Sequence, residues 1–134
     1  MKDLQQYFTE KSGHAILGTA DAAGKVDMAI YSKPFFLGTE GEIALIMANR
    51  LSYANITKNP HAAYMFIEQG TGYHGKRLYL TKVREEKDAA LIQKLMDEKG
   101  YHFTKEEDAS AMTLVHFRVE SIIPLVGHTV ATGA

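Results

Sequence analysis

The chain has 134 residues, enough for one domain that buries roughly two-thirds of its unfolded surface. Its 15 basic and 16 acidic side chains nearly cancel, which argues against a nucleic-acid partner or an acidic tail. The absence of cysteine excludes disulfides, thiolate nucleophiles, zinc ribbons and iron–sulfur clusters, so any redox chemistry must come from a borrowed cofactor.

The opening segment MKDLQQYFTEKSG is charged and amphipathic, not a basic stretch followed by an apolar one. Leu4, Tyr7 and Phe8 fall at helical spacing before Gly13 and predict a short helix lidding a sheet. HAILGTA (14–20) reads as a strand, DAAGK as a turn and VDMAIYSKPFF (26–36) as a second strand of a hairpin. Pro34 cannot donate to a ladder, so that strand is expected to be bulged or at a sheet edge near Ser32–Pro34. GTEG turns the chain into EIALIMA (42–48), an apolar run without polar alternation that suits a strand covered on both faces, at the centre of the barrel or sheet.

ANRLSYANITKNP (48–60) is then a strand-to-helix corner, closed by Asn59-Pro60. Ser52 is an ordinary helix N-cap residue. It is equally placed, with Arg50 and the amides of a helix start, to face an anion. HAAYMFIEQ (61–69) and RLYLTKVR (77–84) read as strands joined by the glycine-rich GTGYHGK, either a plain hairpin connection or a loop that brings Tyr73 and Arg77 to a pocket edge. Leu91, Ile92, Leu95 and Met96 make an apolar stripe in EEKDAALIQKLMDEKG, a core-packing helix stopped by Gly100. YHFTKEEDASA reads as loop, MTLVHFRVESIIPL as one or two closing strands and VGHTVATGA as a loose tail. Five to seven short strands with flanking helices indicate an α+β, mainly β, small barrel or meander. No apolar run reaches spanning length, so a cytoplasmic protein with no membrane partner is expected.

Chemical motifs are sparse. The six histidines show neither HxH nor HExxH spacing, so no metal site is expected. There is no GxSxG elbow, and GTGYHG lacks the lysine-hydroxyl ending of a nucleotide phosphate loop. No residue is assigned a catalytic role.

The order AILGTADAAGKVDMAIYSKPFF, then EIALIMANRLSYANITKNPHAAYMFI, then a glycine turn and RLYLTKV, resembles the pyridoxamine 5′-phosphate oxidase-like, FMN-binding split-barrel family over residues 12 to 84. The resemblance implies a single FMN-binding split β-barrel domain over 1–134. It implies that Arg50, Leu51 and Ser52 hold the FMN phosphate beside Ala48 and Asn49, and that Ala29, Ile30, Tyr31 and Ser32 flank the flavin ring. It further implies a homodimer with the flavin at the interface and a small-molecule redox substrate. The expected function is that of a flavin-dependent oxidoreductase; the alternatives are a non-catalytic flavin carrier, or a haem or deazaflavin binder on the same fold, with His128 as a candidate axial ligand. Two departures bear on the reaction: Tyr53 follows Ser52 where pyridoxamine phosphate oxidases are richer in lysine, and the chain ends ESIIPLVGHTVATGA with no arginine-bearing segment. Vitamin B6 oxidation is therefore not expected.

Overall fold

A computed structural model of the chain describes residues 1–101 and 108–127. Along these run α1 (Lys2–Glu10), β1 (Gly13–Ala20), β2 (Val26–Tyr31), β3 (Glu42–Ala48), α2 (Leu51–Lys58), β4 (His61–Glu68), β5 (Gly75–Glu86), α3 (Ala89–Glu98), a 3-10 turn (Ala109–Ala111) and β6 (Met112–Pro124). The six strands form one antiparallel sheet in the order β2-β1-β4-β5-β6-β3. His102 and His128 lie outside the described residues, as does most of the tail expected to be loose.

Local chemistry accounts for the hairpin between β1 and β2. The Asp21 carboxylate accepts from the amides of Ala23 and Lys25, and Gly24 takes the positive φ of 88° that the turn needs. The expectation of an edge near Ser32–Pro34 is met, because β2 pairs with β1 alone and its ladder ends at Tyr31. Gly13 of β1 and Gly75 of β5 press against the end of the β4 backbone from its two sides: a Cβ on them would sit 2.1 Å from the Ile67 carbonyl oxygen and 2.0 Å from that of Phe66. No other residue fits there.

The curl is built into the two longest strands. β5 and β6 pair over most of their length, with register shifts between Tyr79 and Leu80 and between Lys82 and Arg84, and bulges of this kind bend and twist a strand. The sheet wraps around Leu17, Leu45, Tyr64, Phe66, Leu78 and Phe117, with Leu4 and Phe8 of α1 closing one side of that core. Phe8 meets Phe66 and Tyr64 edge-on, at ring distances of 5.1 and 6.0 Å, as aromatic quadrupoles prefer. A second core lies on the opposite face of β3 and β6, where Ile92 and Leu95 of α3 pack on Phe35, Ala44, Met112 and Leu114.

These two cores correct one expectation. EIALIMA is indeed covered on both faces, Ile43, Leu45 and Met47 facing the barrel and Ala44 the α3 cluster. Yet β3 stands at the end of the sheet, not at its centre. An apolar run without alternation reports coverage of both faces; it carries no information about strand order. On the side away from β6, the end strand carries, among the described residues, a two-bond bridge between Phe35 and Ala44. The barrel is therefore split between β2 and β3.

Candidate functional site

α2 starts where β3 ends, at that split. Arg50 is its N-cap residue in extended conformation, and among the described residues no side chain caps the helix. Its first turn carries no acidic residue, so the positive end of the peptide dipoles is left for another anion. The helix is anchored from behind: Ile56 enters the barrel core, and the buried Asn55 amide donates to the Thr19 hydroxyl of β1 at 3.1 Å. Asn59 ends it with an extended conformation, its side-chain oxygen accepting from the His61 amide at 3.1 Å.

A cavity of about 770 Å³ opens between the two ends of the sheet. This is within the size range of small-molecule sites, about 300–1,000 Å³. One wall is the edge strand β2 with Ala29, Ile30, Tyr31 and Ser32; the facing wall is Ala48, Arg50, Leu51 and Ser52 at the β3–α2 corner. The family resemblance places these eight in the site, and the fold brings them together around one space. Asn49 is exposed beside Arg50 and does not line the cavity. Tyr73 and Arg77 do not line it either. Tyr73 is 85% exposed in the β4–β5 connection, and Arg77 turns its Nε to the Pro124 carbonyl at 2.9 Å. The glycines around Tyr73 serve the turn, two of them at positive φ (Gly70, 120°; Gly72, 84°).

Several lining residues were not foreseen. Asp27 comes from β2, Phe35 from the segment after it, and Met96 and Tyr101 from the end of α3, which the second core holds against the β3–β6 pair. Met96 belonged to the apolar stripe of the helix, the one signal that its end would face something apolar.

The electrostatics favour an anion at the α2 end of the cavity. Ser52 is only 5% exposed. Burial raises the Tyr31 hydroxyl above the ordinary tyrosine value, while the neighbouring Ser52 side chain and the Arg50 charge pull it the other way. Tyr31, Ser52 and Arg50 are thus close enough to act on one group. The Ser32 carbonyl is fixed by the Tyr64 hydroxyl, which donates to it at 2.9 Å from within the barrel core. Because β2 pairs on one side only, alternate residues point their N–H and C=O away from the sheet, and that strip borders the cavity. Among the described residues there is no cluster of metal-ligating side chains, and no helix is long and apolar enough to cross a membrane.

No protein-family model and no curated protein sequence matches the chain. Solved structures do. An FMN-binding protein from Syntrophomonas wolfei subsp. wolfei aligns at 15% identity over 91% of this chain and 83% of its own, with a TM-score of 0.72. An F420 reductase aligns at 16% identity over 88% and 94%, TM-score 0.69. A Listeria innocua protein named for the pyridoxamine 5′-phosphate oxidases aligns at 13% over 92% and 97%, TM-score 0.67. A haem storage protein, HutZ of Vibrio cholerae, shares the architecture as well, at 14% identity, 92% of each chain and a TM-score of 0.65. The chain has the split-barrel fold of the pyridoxamine 5′-phosphate oxidase-like proteins.

Proposed function

We propose that the protein binds FMN in the cavity between β2 and α2, across an interface between two copies of the chain, and acts there as a flavin-dependent oxidoreductase. The observation that carries this reading is the pairing, around one cavity, of an anion-ready corner and an unpaired strand edge. A phosphate finds the Arg50 charge, the Ser52 hydroxyl and the uncapped amides of α2. A flavin's polar ring edge needs donors and acceptors together, which the outer backbone of β2 offers, and its apolar face suits Ala29, Ala48 and Phe35. FMN, when bound, supplies hydride or electron transfer; the protein binds, orients and shields it.

The interface part of the reading rests on Val26, Met28 and Ile30. They are 77%, 75% and 74% exposed on one side of an edge strand that borders the cavity, Ile30 itself reaching the cavity wall, and Leu51, also at the wall, adds 58% exposure at the corner. An apolar strip of this kind beside a ligand site marks a contact surface. A second copy covering it would also close the cavity from solvent.

Haem is the competing ligand, and it makes different demands. It needs an axial side chain; no histidine of the described residues lines this cavity, and the side chains there that could serve are Tyr31, Met96, Tyr101 and Met112. Titration with FMN and, separately, with haemin decides between them. Quenched flavin fluorescence with a saturable two-band absorbance is the expected result, and a Soret band with no flavin response contradicts the reading. If the protein is an enzyme and not a flavin carrier, reduced nicotinamide bleaches the bound flavin with multiple turnovers in air.

A further inference from the structure

α2 is tied to the sheet at two points on opposite sides of its axis. Asn55 reaches β1, where its buried amide donates to the Thr19 hydroxyl. Tyr53 reaches the other half of the sheet, its hydroxyl donating to Glu85 Oε1 of β5 at 2.5 Å. Successive helix residues are about 100° apart, so side chains two positions apart leave the axis roughly 200° apart, and the two bonds together oppose a turn of α2 about its axis. The Tyr53 end is itself braced. The second Glu85 oxygen accepts from the Lys82 ammonium, which holds the carboxylate charged and in place. The buried Thr113 hydroxyl of β6 bonds the same phenol oxygen, and Lys87 Nζ stands 5.8 Å from the centre of the Tyr53 ring, which is half-buried against the barrel core. The hydrogen bond to Glu85, with burial behind it, raises the phenol above the ordinary tyrosine value, so it keeps its proton and remains the donor. None of Tyr53, Lys82, Glu85 and Thr113 lines the cavity, yet Tyr53 belongs to the same helical turn as Leu51 and Ser52, which do.

We infer that Tyr53 is a positioning residue: bonded to Glu85, it sets the rotation of α2 and so aims the Ser52 hydroxyl and the first-turn amides at the phosphate. The role rests on the flavin reading of the cavity, since a phosphate is what those groups would receive. Aim matters more here than in a site rich in lysine. Arg50 is the one cation among the described residues that line the cavity, and the remaining donors are neutral groups whose bonds weaken steeply when the angle falls. Riboflavin has no phosphate and makes no use of that aim.

The test titrates FMN and riboflavin into the full chain and into Tyr53→Phe, which keeps the ring and deletes the donor. The variant should bind FMN about tenfold more weakly and riboflavin within about twofold of wild type. Glu85→Ala should reproduce that loss, Glu85→Gln, which keeps an acceptor oxygen, should retain most of the affinity, and Tyr53→Phe with Glu85→Ala should lose no more than either alone. Unchanged FMN affinity, an equal loss for riboflavin, or losses that add in the double variant would each overturn the role. Hydrogen exchange in the ligand-free chain separates this role from the flavin reading. The α2 amides of Tyr53→Phe should exchange about tenfold faster while those of β1 keep the wild-type rate. Unchanged α2 rates overturn the role whatever FMN does; the flavin reading fails separately, by absence of an FMN isotherm in the wild type.

Discussion

Ser32 shows how the core reaches the site through a single hydroxyl. The Tyr64 ring is fully buried, and its hydroxyl donates to the Ser32 carbonyl where β2 leaves the ladder. Burial, with a smaller contribution from Tyr101, raises Tyr64 above the ordinary tyrosine value of 10.0, and burial together with the hydrogen bond and charge of Glu68 does the same for Tyr7. In the unfolded chain both titrate near pH 10; in the native state both keep their protons beyond it. Stability from these groups is therefore fully present below about pH 10 and is lost as pH rises, because the native state then binds more protons than the unfolded one. Urea midpoints should fall between pH 10 and 11.5, and Tyr64→Phe should make that fall shallower. An identical slope in the variant would remove Tyr64 as a cause.

At the scale of elements, the corner of β3 and α2 was legible because each part of it is local chemistry. An apolar run, a basic and a hydroxyl residue and an Asn-Pro stop follow each other within a few residues, and the structure assembles them in that order. The hairpin strand from Ala29 to Ser32 was placed through the family resemblance, and Pro34 alone said that it would be an edge. What was not legible depended on partners distant in sequence. The end position of β3 is decided by pairing with β6, some seventy residues on, and Met96 and Tyr101 reach the cavity only because α3 docks on that pair. Tyr73 illustrates an ambiguity of local signals, since flanking glycines mark close approach and turn geometry alike; within the single chain two of them take the positive φ of the turn and Tyr73 stays exposed. Gly75 is an element-level constraint of the close-approach kind. Gly75→Ala must push the β4 backbone at Phe66 aside and should lower the unfolding free energy by about 3 kcal/mol, read from urea denaturation. A loss under about 1 kcal/mol would mean that β5 can shift in register without cost.

For the whole molecule, the split in the barrel is the feature that links fold to function. A closed barrel would hide the outer edge of β2 and leave no room between β2 and β3; the split exposes both an edge and an apolar strip. If that strip is covered by a second copy, Val26→Lys with Met28→Lys, neither of which lines the cavity, should convert a dimer to a monomer in sedimentation velocity and weaken FMN binding at the same time, while FMN should strengthen the wild-type dimer by linkage. A wild-type monomer that binds FMN tightly would contradict the shared site. The central claim is that the β3–α2 corner holds a phosphate, and the most direct measurement is the affinity of wild type and Arg50→Ala for FMN and for riboflavin. Loss of one charge-assisted contact predicts a cost of about 1.5 kcal/mol or more, at least roughly tenfold, for FMN and a much smaller one for riboflavin. Equal losses for the two ligands, or none for either, would contradict the account.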